Sequence, residues 1–205
     1  IVASRALAAG LNVTLIACPG NRPLPAEAYQ AQSQWLAAGG VIHQPDTLWP
    51  QHIDLIIDAL LGIGLRAAPQ GVYATLIDTA NRHRAAKVAL DIPSGLSADS
   101  GAAPGSVIRA DHTLTFVTLK PGLLTGQARD WVGHVHCNDL GLTAWLLTQP
   151  VQIERMTADH LPQWLKPRRP CAHKGEHGRL LLVGGDKGLG GAIRMAGEAA
   201  LRSGA

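Results

Sequence analysis

The chain has 205 residues, 46% of them hydrophobic and 4% aromatic, with 23 glycines and 13 prolines. That is enough apolar material for a packed core, and the composition suits a loop-rich α/β enzyme better than a β-sandwich. A net charge of +3, spread along the chain, slightly favours an anionic small molecule and excludes the clustered Lys/Arg footprint of a nucleic-acid binder. The cysteines, Cys18, Cys137 and Cys171, are far apart and form no Cys-x-x-Cys, which points to a reduced, cytoplasmic setting. No apolar run reaches the roughly 18 residues of a membrane span, and there is no charged-then-apolar leader.

In chain order, Ile1–Gly10 reads as a helix with Gly10 as its C-cap. Asn12–Cys18 is a β-branched strand. Pro25–Ala38 is a helix opened by proline, with Ala28, Trp35 and Leu36 as its expected apolar face. Val41–His43 is a short strand and Ile53–Leu60 a buried one. Val72–Arg84 is a helix with basic residues in its last turn, as the helix dipole prefers. Lys87–Ile92, Thr113–Leu119 and His134–Leu140 follow as strands. This alternation predicts a Rossmann-like, doubly wound, mostly parallel α/β sheet. No long helix separates the last two strands, so an antiparallel edge is expected there.

After Leu147 the texture changes to a Pro-, His- and Arg-rich stretch, with a short helix over Ala158–Leu165. A strand (Arg179–Val183), a Gly-rich turn (Gly184–Gly191) and a helix (Ala192–Ser203) then read as the opening of a second α/β domain. The expected domains are 1–149 and 150–205, with the boundary near Gln149–Ile153. Ile1 is not an initiator methionine, and residues 1–9 read as the later part of a helix. With no domain closure before Ala205, the chain is expected to be an internal piece of a longer protein. Its first strand and Gly-rich turn would precede Ile1.

Two strands end on a carboxylate. Asp58 closes Ile56-Ile57-Asp58 before Gly62-Ile63-Gly64-Leu65-Arg66-Ala67-Ala68, and Asp91 closes Val88-Ala89-Leu90-Asp91 before Pro93-Ser94-Gly95. Ligands of open α/β sheets bind outside the carboxyl ends of the strands. Glycines after Asp58 let backbone N–H groups approach a phosphate, and Arg66 adds charge to that cradle. A carboxylate and the Ser94 hydroxyl on adjacent strand ends can ligate a hard cation through oxygen. Asp91 in a half-buried cleft can act as general acid or base. The plain alternatives are a βα turn at Asp58 and an Asx turn at Asp91, but two such residues lining one crevice favour function. Lys120, before Pro121-Gly122, either points into that crevice or is a solvated strand-end lysine.

Three other groups are weaker. His134 and His136 share one strand face but find no third metal ligand of suitable spacing. Cys171, His173 and His177 fit no standard zinc spacing. Gly184–Gly191 lacks the Gly-Lys-Ser/Thr of a Walker loop, and a Gly-rich turn alone is weak.

Together these segments resemble a known family. Asp58-Ala-Leu-Leu-Gly-Ile-Gly-Leu, Asp91-Ile-Pro-Ser-Gly-Leu, Ala110-Asp111-His-Thr-Leu-Thr-Phe and Leu119-Lys120-Pro-Gly-Leu are similar to the YjeF N-terminal domain, the NAD(P)H-hydrate epimerase. His173-Lys-Gly175, Gly178-Arg-Leu-Leu-Leu-Val-Gly-Gly185 and Gly191-Ala192 through Ala199-Ala-Leu-Arg-Ser-Gly-Ala205 resemble the start of the ribokinase-like, ADP-dependent NAD(P)H-hydrate dehydratase. Their order is that of bacterial bifunctional repair enzymes.

The resemblance implies potassium ligands at Asp58 and Ser94 and a substrate-phosphate loop at Gly62, Ile63, Gly64, Leu65, Arg66, Ala67 and Ala68. It implies substrate contacts at Asp91 and Ala192, with Asp91 as the candidate acid or base. The implied substrates are NADHX and NADPHX, and the implied cofactors are potassium, and ADP with Mg2+ for the dehydratase. Neither nucleic acid nor membrane is an expected partner, and a homo-oligomeric state is left open. The other readings are a non-catalytic YjeF-like scaffold and an inactive gene remnant. The family's Asn-Asn-Gly-Gly-Asp-Gly loop would precede Ile1, and the dehydratase aspartate and ADP site would follow Ala205. The piece alone is therefore expected to lack turnover.

Overall fold

Helix α1 (Val2–Ala8) ends where Gly10 takes φ 79°. The Gly10 amide donates to Leu7 O at 2.9 Å and the Leu11 amide to Ala6 O at 3.1 Å, the paired bonds of a Schellman cap. Strand β1 (Leu15–Ile16) pairs in parallel with β2 (Ile42–His43) after helix α2 (Ala26–Ala37). Both strands are shorter than their apolar runs, because a ladder extends only as far as the partner does. The expected apolar face of α2 is corrected: Trp35 is buried, whereas Ala28 and Leu36 are exposed. Consecutive residues sit about 100° apart on a helix, so Trp35 and Leu36 do not share one contact line. The Trp35 ring instead fills the space where a Cβ on Gly40 would stand.

The main sheet has the order β3-β4-β5-β6, with β3 Leu55–Asp58, β4 Ala86–Leu90, β5 His112–Phe116 and β6 His134–Asn138. Every pair is parallel. The arrangement is α/β and Rossmann-like, with helices flanking a parallel sheet. The expected antiparallel edge is absent. Residues 117–133 cross back over the sheet through two 3-10 turns, Pro121–Leu123 and Ala128–Asp130. A crossover between parallel strands needs length rather than a regular helix.

The connecting segments also supply the core. Leu123, Ala128 and Val132 from the crossover pack with Ile92, Leu96, Ala98 and Val107. On the sheet face under α3 (Val72–Arg82), Ile77 and Ala80 pack with Ala89, Ile108 and Ala110. Burying one such isoleucine stabilises by about 1.5–3 kcal/mol. The Asp111 carboxylate accepts from the Lys87 amide at 2.7 Å, which ties the start of β4 to β5. Buried Lys87 donates to His83 O at 2.8 Å and Ala85 O at 3.0 Å, and so satisfies carbonyls just past α3.

The computed structural model describes residues 1–18, 23–151 and 153–204, in two units, Ile1–Ile153 and Glu154–Ala205. Gln152, inside the boundary expected from sequence, and Ala205, the end of the Ala-Leu-Arg-Ser-Gly-Ala segment, lie outside the described residues. In the first unit, helix α4 (Thr143–Leu146) follows β6. The second unit holds α5 (Leu161–Trp164) and α6 (Gly191–Arg202). Residues 179–183, expected as a strand, form no ladder, and Leu181 and Val183 are exposed. A strand needs a partner for its backbone groups, and none is presented among the described residues of this unit. No helix among the described residues is long and apolar enough to cross a membrane.

Candidate functional site

The carboxyl ends of β3, β4 and β5 carry the site. Asp58 is the last residue of β3, is 5% exposed, and pairs in register with Ala89 of β4. Its Oδ1 accepts from the Ser94 hydroxyl at 2.6 Å and the Leu60 amide at 3.2 Å, and its Oδ2 accepts from the Ser94 amide at 2.7 Å. Ser94 is fully buried, and its Oγ also accepts from the Leu61 amide at 2.8 Å. Burial raises the Asp58 carboxyl above the ordinary carboxylate value, and the bonds from Ser94 and Leu60 only partly offset it. No cationic side chain among the described residues touches it, so the charge is hydrogen-bonded but not neutralised.

Ser94 is held there by Gly95, which has φ 98°. A Cβ at this position would stand 2.1 Å from Ser106 O. The turn Pro93-Ser94-Gly95 therefore needs glycine for both conformation and space.

Asp91 follows β4 with φ 71°. Its neighbours close a three-residue turn, the Ile92 amide donating to Leu90 O at 2.9 Å. A γ-turn about a positive-φ residue is the rare, strained form. The end of β5 does the same: Val117 has φ 67°, and the Thr118 amide donates to Phe116 O at 2.8 Å. A β-branched residue at positive φ is a genuine outlier, and strain of this kind concentrates at functional sites.

The two turns are stitched together by side chains. Asp91 Oδ1 accepts from Thr115 Oγ1 at 3.1 Å, from the Phe116 amide at 3.2 Å, and from the Lys120 ammonium. Partial burial raises the Asp91 carboxyl, but Lys120, the Phe116 amide and Thr115 outweigh it and hold the group below the ordinary carboxylate value. At neutral pH Asp91 is thus an ionised carboxylate. It can accept a proton, and it is poorly suited to donate one.

The loop after Asp58 lines an open cleft of about 340 Å³, formed by Leu60, Leu61, Gly62, Gly64, Leu65 and Arg66. A Cβ on Gly62 or Gly64 would meet nothing within 4 Å. These glycines leave bare backbone facing open space, as a close approach by phosphate requires. Ile63 is exposed, and Ala68 packs against Gly105, where a Cβ would stand 3.1 Å from its methyl. Ala192 lies in α6 of the second unit.

Sequence reasoning singled out Asp58, Asp91, Ser94 and the loop, which lie at the carboxyl ends of neighbouring strands, and left Lys120 undecided between cleft and solvent. Thr115 and the Phe116 backbone were missed. The alternation Thr113-Leu114-Thr115 carried a signal, since both threonines are buried and polar. A third histidine was also missed. Parallel register sets His112 beside His134, and His112 Nδ1 lies 3.1 Å from His136 Nε2. Even so, no group of three or more His, Cys, Asp or Glu among the described residues is placed to hold a metal ion. His173 accepts from the Gly175 amide at 3.1 Å and lies 3.3 Å from Glu176.

Residues 1–122 match the family described as YjeF-related protein N-terminus. The chain is 58% identical over 205 residues to the bifunctional NAD(P)H-hydrate repair enzyme Nnr of Escherichia coli K12, covering all of this chain and 40% of that protein. It is 44% identical over 216 residues to the bifunctional NAD(P)H-hydrate repair enzyme of Leishmania major, covering 38% of it. It is 40% identical over 209 residues to the Nnr enzyme of Vibrio cholerae, covering 42%. The chain thus spans about two-fifths of the length of these relatives.

Proposed function

The chain belongs to the YjeF-related N-terminal family, and we propose that the protein carrying it repairs hydrated nicotinamide cofactors. In this reading residues 1–149 form the epimerase domain, which interconverts the R and S forms of NADHX and NADPHX. Residues 150–205 open a ribokinase-like dehydratase domain that acts on the S form, in a cytoplasmic enzyme. The observation that carries the reading is the ionised Asp91 carboxylate on the strand end next to Asp58 and its glycine loop.

Asp91 is the base. The hydrated ring carbon bears a hydroxyl and the ring nitrogen. An ionised carboxylate accepts the hydroxyl proton as the carbon–nitrogen bond opens to an aldehyde, with that bond's electron pair passing to nitrogen, which is protonated from solvent. Reclosure on either face reverses these transfers and exchanges the epimers. Gly62–Ala68 hold the dinucleotide phosphates through backbone N–H groups and Arg66.

The donor set suits potassium. Asp58 Oδ1 and Ser94 Oγ are 2.6 Å apart, and Leu61 O is 3.2 Å from Ser94 Oγ. All are hard oxygen donors around a carboxylate with no cationic partner among the described residues. A bound potassium ion supplies the positive charge that this site lacks. Asp58 and Ser94 would hold it and thereby fix the turn that carries the loop.

For the dehydratase, Ala192 is a proposed substrate contact. Residues 154–204 bring no metal-holding group of three or more His, Cys, Asp or Glu together among those described. They do not on their own fit ADP with Mg2+, and no step through that pair is derived. The bonded Asp58–Ser94 pair and the separate cluster of Asp91 with Thr115 and Lys120 favour this reading over a non-catalytic scaffold. Its test is epimerisation of purified R-NADHX by the full-length protein, with and without Asp91→Asn. Absence of epimerisation by the unmodified protein would overturn it.

A further inference from the structure

Among the described residues, every hydrogen bond to the Asp91 carboxylate falls on one oxygen. Thr115 Oγ1, the Phe116 amide and Lys120 Nζ all donate to Oδ1. Oδ2 receives no protein donor among the described residues, and the side chain is 27% exposed.

Lys120 is saturated in turn. An ammonium has three donors, and these meet Asp91 Oδ1, Thr115 Oγ1 at 2.9 Å and Phe116 O at 2.7 Å. The Lys120 side chain is 17% exposed. No N–H is left to neutralise a substrate phosphate without breaking one of these bonds. Thr115 completes the circuit by accepting from Lys120 while donating to Asp91. The strained turn at Val117 follows Phe116, whose amide faces Asp91 and whose carbonyl faces Lys120.

We propose that Lys120 is a positioning residue that holds Asp91 Oδ1 against the end of β5, so that Oδ2 alone is presented to substrate. It has this role in catalysis only if Asp91 is the base proposed above. An unclamped carboxylate turns about its terminal torsion and offers either oxygen. A clamped one removes that freedom before substrate arrives, and small misplacements of reacting groups are costly. The other charged groups near these strand ends are Asp58, bonded to Ser94, and Arg66 in the loop. Neither bonds to Asp91 among the contacts described.

The test uses the full-length protein with Lys120→Met, Lys120→Arg and Thr115→Val. Epimerisation kcat and KM are read across pH. The Asp91 side-chain carbon is titrated by 13C NMR, which does not depend on turnover. For Lys120→Met, kcat should fall by roughly 10²-fold with KM within about twofold. Its carboxyl titration and the acid limb of the rate profile should both move up by about one pH unit or more. Arginine should restore most of both, and Thr115→Val should give a smaller shift in the same direction. An unchanged titration with unchanged kcat overturns the proposal. So does a raised KM with intact kcat, which would put the ammonium on substrate. A shifted titration in a protein whose unmodified form does not epimerise leaves the clamp standing and removes the reaction, so the two failures are distinguishable.

Discussion

Ser94 meets Asp58 twice, its hydroxyl donating to one carboxylate oxygen at 2.6 Å and its amide to the other at 2.7 Å. This two-point bond joins the end of β3 to the turn after β4. It also explains how a carboxylate survives at 5% exposure without a cationic neighbour. Replacing Ser94 by alanine removes one of the three donors, with the Ser94 and Leu60 amides remaining, from a buried charge. The expected cost is about 1–3 kcal/mol, read as a lower midpoint in denaturant unfolding. A midpoint unchanged within error would show that the Asp58 charge is compensated elsewhere.

Burial lifts the Asp58 carboxyl above its unfolded value. The native state then binds its proton more tightly than the unfolded state does. Stability from this group is fully present below the ordinary carboxylate range and is lost as pH rises through the native value. A cation at Asp58 offsets that loss. Potassium is therefore expected to raise the melting temperature more at pH 8 than at pH 4, and Asp58→Asn should abolish the difference. An equal potassium effect at both pH values, or in the variant, would remove potassium from this site. Asp91 has the opposite sign: its carboxyl is lowered, so its contribution is present at neutral pH and fades as pH falls through the native value.

Two glycines separate packing from binding. A Cβ at Gly95 would stand 2.1 Å from Ser106 O with φ at 98°, whereas one at Gly62 would meet nothing within 4 Å. Gly95→Ala should destabilise by at least about 1–3 kcal/mol. Gly62→Ala should leave stability within about 0.5 kcal/mol yet, if the loop cradles phosphate as proposed, raise KM for substrate, since the methyl would enter the open space beside the loop. Thermal melts and KM for both variants check this. A Gly62→Ala protein with normal KM would show that the loop does not cradle the phosphates.

The strands that carry Asp58 and Asp91 were legible because each is a local apolar run ending in a carboxylate and a turn. The Pro93-Ser94-Gly95 turn and the cap at Gly10 were legible for the same reason. What failed was non-local. The reach of Lys120 to Asp91 and the placing of His112 beside His134 and His136 are set by strand register, which no single segment encodes. The γ-turn at Val117 breaks the local preference of a β-branched residue, so local rules point away from it. The run Arg179–Val183 has the composition of a strand but finds no ladder among the described residues, and composition cannot supply a partner. The parallel β6 was misjudged because a crossover built from 3-10 turns carries no helical periodicity.

The most direct test of the central claim, that Asp91 is the base of a cofactor-hydrate epimerase, compares two activities of one full-length variant. Asp91→Asn keeps the shape of the side chain and removes its charge. Epimerisation of R-NADHX should fall by roughly 10²–10⁴-fold, while dehydration of purified S-NADHX by the same preparation is retained. Epimerisation at the unmodified rate would contradict the claim and reduce Asp91 to a residue that only places substrate.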